Sequence, residues 1–114
     1  MIDIAAAVAA QVARFAAAGI TATADPRNVN APALLVLPPV LRFAFANRAD
    51  AVFTGYIIGI GAGVLETLES VSPLLDAARK AVTALEAFPM DSPAGDSGNY
   101  RPTYSINWTV TLKG

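Results

Sequence analysis

The sequence predicts an α+β fold, a small mixed or antiparallel β-sheet flanked by an N-terminal helix and a second, Pro-kinked helix. Three observations carry this. Residues 3–18 space Ile4, Val8, Val12 and Phe15 along one helical stripe. Residues 64–85 repeat the pattern with Val64, Leu68, Val71, Leu75, Ala78, Val82 and Leu85. In residues 104–112, Tyr104, Ile106, Trp108, Val110 and Leu112 alternate with Ser105, Asn107, Thr109 and Thr111, the pattern of a strand with one wet face. Such strands need their apolar face covered, and two amphipathic helices supply the matching stripes.

Taken in order, the first helix has Asp3 as N-cap and Gly19 as C-terminal stop. Its remaining positions are mostly alanine, which favours helix and lets another backbone approach closely. Residues 20–24 are weakly β-compatible. Pro26 and Pro32 then hold a polar loop extended before a buried strand at Ala33 to Leu37. Pro38-Pro39 force a bend, after which a strand resumes at Val40 to Phe45 with Leu41, Phe43 and Phe45 on one face. Asn47 to Asp50 form a turn, and Ala51 to Ile60 a further strand.

In the second helix Pro73 is an interruption, with Ser72 placed to cap a restart, and Asp76 and Lys80 form an i, i+4 pair. Residues 89–102, with Pro89, Pro93, Gly95, Gly98 and Pro102, read as one long loop.

The chain of 114 residues predicts one domain over 1–114, long enough to bury roughly two thirds of the surface its unfolded form exposes. Hydrophobic residues make up 54% and charged ones 15%, high for a monomer with a fully solvated surface, which predicts apolar area buried against other subunits. Net charge is −1 with the arginines scattered from Arg14 to Arg101, an arrangement that argues against nucleic-acid binding. The absence of His and Cys removes the usual zinc and iron ligands, disulfides and thiolate chemistry. We read neither a signal peptide nor a transmembrane segment: Asp3 stands where a signal would be basic, and the uncharged run from Asp50 to Glu66 is short and broken by glycines.

The chemical motifs give way to plainer readings. Gly59-Ile60-Gly61-Ala62-Gly63 precedes a helix, as phosphate-binding turns do, yet no Lys-Ser/Thr follows and the dinucleotide spacing is absent. We read a strand ending and a helix starting. Glu66 and Glu69 are solvated carboxylates near a helix N-terminus, and Asp25 with Asp50 have no spacing that brings them together. Ser72 and Ser92 have no histidine to activate them. Trp108 and Tyr104 belong to the core face of their strand rather than to a stacking site. Arg27, between two prolines, is either a solvated loop arginine or one whose guanidinium meets a carboxylate or carbonyl of a neighbour. No catalytic, cofactor-binding or metal-binding residue is assigned.

The run Asp25-Pro26-Arg27-Asn28-Val29-Asn30, with Pro32, the strand Leu34-Leu35-Val36 and Pro38-Pro39, follows a short helix. This arrangement resembles the small tail terminator proteins of long-tailed, siphovirus-type phages of actinobacterial hosts. A strand at Tyr56 to Ile60, the helix carrying Leu74-Leu75-Asp76-Ala77, and the strand Tyr104 to Leu112 extend the resemblance over nearly the whole chain.

The resemblance implies a non-enzymatic virion protein forming a homo-hexameric ring at the head-proximal end of the tail tube, assembled in the host cytoplasm. Its partners would be the tail tube protein and the head–tail connector or stopper, with genome DNA passing through the lumen without sequence-specific binding and no membrane. Ring contacts in that family come from loops, which makes Asp25, Arg27, Asn28 and Asn30 in one loop and Asp91, Asp96, Asn99 and Arg101 in another the interface candidates. Two other readings are a head–tail stopper or adaptor ring protein and a small-molecule-binding α+β domain.

Overall fold

In the computed structural model the chain runs α1 (Ile4–Ala17), β1 (Ala22–Thr23), a 3-10 turn (Pro26–Asn28), β2 (Ala33–Val36), β3 (Val40–Phe45), β4 (Arg48–Ile60), α2 (Val64–Ala81), β5 (Glu86–Pro89) and β6 (Tyr100–Lys113). The structure describes residues 2–28, 30, 32–45, 47–60, 64–89 and 100–113. Two helices and a six-stranded mixed sheet make this an α+β fold.

The sheet is ordered β1-β2-β4-β6-β5, with β3 also paired to β4. Its spine is the long antiparallel ladder of β4 with β6, from Arg48 opposite Lys113 to Ile60 opposite Tyr100. The other edge of β4 is shared. β2 takes one half, from Val36 opposite Gly55 to Ala33 opposite Ile58, and β3 takes the other, from Val40 opposite Val52 to Phe45 opposite Arg48. Leu37-Pro38-Pro39 bridges the two halves, and the Leu37 N–H still reaches the Thr54 carbonyl at 2.9 Å.

Register divides the sheet into two faces. Leu34, Val36, Phe53, Ile57, Ile106 and Trp108 share the face that both helices cover, and with Phe15, Val71, Ala78 and Val82 they form the core. Trp108 is its centre. Its indole stacks on Phe53 with centroids 5.5 Å apart, meets the edge of Phe15 at 5.0 Å, and donates Nε1–H to Gln11 Oε1 at 2.8 Å. The opposite face carries Asp50, Thr54, Asn107 and Thr111, with Thr54 and Asn107 hydrogen-bonded side chain to side chain at 3.0 Å.

α1 forms as its ends dictate. Asp3 Oδ1 accepts the Ala6 N–H at 3.0 Å, and Gly19 at φ +87° takes the left-handed backbone that ends the helix. The buried stripe differs from the apolar spacing by one residue: Ile4 is 46% exposed at the helix start, whereas Gln11 is buried under Trp108. Arg14 Nε donates to the Ala81 carbonyl at 2.7 Å, tying α1 to the C-terminal end of α2, where a cation also complements the helix dipole.

Of the two forms open to the second helix, one kinked helix or two abutting ones, α2 is one helix with Pro73 inside it. The expected cap at Ser72 is not made, since its hydroxyl donates back to the Leu68 carbonyl at 2.9 Å. Val71 before the proline and Ala78 after it both enter the core, so packing on one sheet supports both halves of the helix despite the lost backbone donor. The expected Asp76–Lys80 pair is present at 3.1 Å, joined by Arg79 at 2.9 Å. These cations, Lys80 foremost, hold the Asp76 carboxyl below its ordinary range. Ser70 Oγ accepts the Ile60 N–H at 3.0 Å and donates to the Thr67 carbonyl, fastening the end of β4 to the first turns of α2.

Other boundaries move. β4 already begins at Arg48, so the expected turn at 47–50 is mostly strand. The helix ends at Ala81 rather than Leu85, β5 occupies Glu86–Pro89 and so takes the first residue of the expected loop, and β6 begins at Tyr100. Pro102 is therefore strand, beside the irregularity between Ile57 and Ile58 that takes up a residue without a partner.

Candidate functional site

The loop singled out in the sequence folds as a tight, self-paired unit. Asp25 Oδ1 accepts the backbone N–H of Arg27 at 2.9 Å and its Nε–H at 3.1 Å, while Nη2 meets Oδ2 at 3.0 Å. Thr23 Oγ1 accepts the Asp25 N–H at 3.1 Å, so β1 anchors the turn. The Arg27 side chain is 88% exposed, and the carboxylate it meets is that of its own loop.

The side-chain hydrogen bond from Arg27, with the backbone one behind it, holds the Asp25 carboxyl below its usual value; the same pairing raises Arg27. With the folded value depressed, the contribution is present above the unfolded value and is lost as pH falls through the folded one. We expect Arg27→Ala to return the Asp25 titration midpoint upward toward that of a free aspartate, read by carboxyl-carbon NMR. An unchanged midpoint would show that the pair does not persist in solution.

The other candidates are placed as follows. Asn28 closes the 3-10 turn and Asn30 is exposed just beyond it. Arg101 was expected in a loop and instead lies in β6, opposite Gly59, because the β4–β6 ladder continues to Tyr100. Asp91, Asp96 and Asn99 fall outside the described residues. The structure thus groups Asp25, Arg27, Asn28 and Asn30 in one turn and sets Arg101 on a strand.

Sequence reasoning missed the flanks of the sheet. Among the described residues β3 pairs with β4 alone, which leaves its outer edge without a strand partner there, beside Val40, 62% exposed, and Phe43, 65% exposed. A long apolar edge left open in this way is a pairing surface. On the other flank β5 is the outermost strand and is exposed at all four residues. Between β5 and α2 runs an open groove of about 400 Å³, lined by Ser72, Leu75, Asp76, Arg79, Leu85 and Ala87. Phe43 and Phe88 were legible as apolar residues, but which edge would remain open depends on pairing partners far away in sequence.

Charge is distributed to match. Among the described residues, the cations with neither an ion pair nor a hydrogen bond are Arg42, Arg48 and Lys113. Register sets all three on the face away from the helices, at the β3 end of the sheet, with Arg48 directly opposite Lys113. Like charges so placed repel. Glu86 in β5 is an exposed carboxylate on that same face of the sheet, likewise with neither an ion pair nor a hydrogen bond among the described residues.

Among the described residues no helix is long and apolar enough to cross a membrane, and no group of three or more His, Cys, Asp or Glu side chains is placed to hold a metal ion. What the described surface offers is strand edges, exposed apolar side chains and charges of both signs. Neither a protein-family model nor a curated protein sequence matches this chain.

Proposed function

We propose that this chain is a non-enzymatic structural subunit of a phage tail. It forms a ring of six at the head-proximal end of the tail tube, ends tube polymerisation and joins the tail to the head connector, with the genome passing through the lumen. The observation that carries the assembly half of this reading is the open β3 edge with Val40 and Phe43 mostly exposed. A strand of that kind is a liability in a monomer and an asset in an oligomer. The choice of assembly is supported by the resemblance of the Asp25–Asn30 run and the strand after it to tail terminators.

Closed rings arise when a heterologous contact repeats with a rotation that closes, so one contact per subunit is enough. The compact Asp25–Arg27 turn, anchored on β1, supplies a rigid polar projection for the rim of such a ring. Native mass spectrometry with negative-stain imaging tests the reading, and we expect six-fold rings that cap one end of purified tail tubes. A monodisperse monomer that neither joins nor caps tubes would overturn it.

A further inference from the structure

We propose that the edge strand β3 of one copy docks as an added strand on β5 of the next, with Phe43 entering the α2–β5 groove and Arg42 meeting Glu86. The proposal rests on the ring reading and names its subunit contact. It places that contact on strands rather than on the loops the resemblance implies.

Four features of one molecule converge on this pairing. Among the described residues both strands are edges of the sheet, and β3, six residues long, is long enough to span the four of β5. They lie on opposite flanks of the sheet, so β3 cannot reach its own β5 without a second copy. The groove beside β5 has apolar walls in Leu75, Leu85 and Ala87 and, at about 400 Å³, is at the low end of clefts that hold a ligand-sized group (~300–1,000 Å³). An exposed aromatic residue on an edge strand is the group to fill it, as in recognition by strand addition, where backbone bonds give affinity and alternate side chains give specificity.

Side-chain parity decides the fit. In β5, Ala87 lies opposite Ile106 and so belongs to the helix-side face, whereas Glu86 and Phe88, opposite Asn107 and Ser105, belong to the other. In β3, Phe43 lies opposite Ala49 on the helix side, and Arg42 lies opposite Asp50 on the other. An added β3 that continues the sheet therefore carries Phe43 to the groove side and Arg42 to the side of Glu86 and Phe88. Arg42, which faces Asp50 across its own ladder without closing an ion pair to it, then gains a second carboxylate beside an aromatic ring that also favours a guanidinium.

The alternatives built from one strand type fit less well. Two β3 edges in two-fold pairing can set Arg42 against Arg42, and two β5 edges leave the groove to Ala87 alone. Pro89, without an N–H, ends the useful edge of β5 and limits the added ladder to the stretch beside the groove. Because the two edges differ, the contact is head-to-tail, the type that closes into rings.

Charge exchange tests this in the full chain. We expect Arg42→Glu and Glu86→Arg each to weaken self-association by about tenfold or more, read by sedimentation and native mass spectrometry, and the double exchange to restore it. Phe43→Asp should abolish assembly while the thermal melt and circular dichroism stay those of the parent, since the side chain is mostly exposed. Rings of six that survive all three single changes would overturn this contact and leave the ring reading standing. Assemblies of another order that respond to the exchange as expected would support the contact and overturn the six-fold ring. A parent chain that stays monomeric overturns both.

Discussion

Trp108→Ala is expected to lower the free energy of unfolding by about 3–5 kcal/mol, the range for removing a large aromatic side chain from a packed core. The indole is 2% exposed, lies between Phe53 and Phe15, and gives its only N–H to Gln11, itself buried. Alanine empties the junction between α1 and the sheet and also leaves the Gln11 amide oxygen without its donor. Trp108→Phe separates these losses: it keeps most of the ring volume but not the hydrogen bond, and should cost about 1–3 kcal/mol for the unsatisfied amide. Urea unfolding with an unchanged slope reads both. A parental midpoint for the alanine variant would put the indole outside the core.

Gly55→Val is the second large effect. Gly55 sits on the helix-side face of β4 between Val36 and Ile106, where a Cβ would come within 2.9 Å of Leu34 Cδ1, 3.3 Å of the Leu35 carbonyl oxygen and 3.4 Å of Trp108 Cζ3. The glycine is there because neighbouring side chains already fill the space above it. Leu34 can turn aside, but the Leu35 carbonyl belongs to the paired strand and cannot move without disturbing the ladder. A branched side chain is therefore expected to destabilise by about 3 kcal/mol, the upper part of the usual range for overpacking. Gly55→Ala should cost less, since only one of the three contacts is with backbone and the closest is with a flexible side-chain end. Equal stabilities for the valine and alanine variants would show that Leu34 and Trp108 accommodate the added atoms freely.

Much of the fold was legible because its signals are local. Asp3 and Gly19 bound α1 through groups within one turn of each helix end, and the alternation along β6 needs only residues two apart. The errors fall where a distant partner overrides a local cue. Ser72 before Pro73 looks like the cap of a restarted helix, but the sheet beneath α2 receives Val71 and Ala78 alike and one helix runs through. Arg48 and Asp50 look like a turn, yet in a strand they are the alternate positions of a wet face. Pro102 looks like loop, and a register irregularity next to it makes room in a strand.

The candidate site divides in the same way. That Arg27 is exposed follows from its two flanking prolines, but its closure onto Asp25 needed a cue two residues away: an aspartate accepts the N–H of the second residue after it and so draws that side chain near. Arg101 was placed in a loop by its proline and glycine neighbours, while its backbone pairs with Gly59. The open flanks could not be read at all, because whether β3 and β5 are edges is decided by strand order and not by their own residues.

The position of β6 has a kinetic consequence. It is the strand latest in sequence, yet it lies inside the sheet between β4 and β5 and supplies Trp108 to the core. During synthesis, at ~5–20 residues per second, β4 waits for this partner with its apolar face incompletely covered. The delay from the end of β4 to the end of β6 is then on the order of seconds, ample time for an unpaired strand to find a wrong neighbour. Two chains made together on one message would meet in this half-finished state, with β3 already adjacent to β4. A chain that lingers before β6 docks is therefore the form most prone to aggregate.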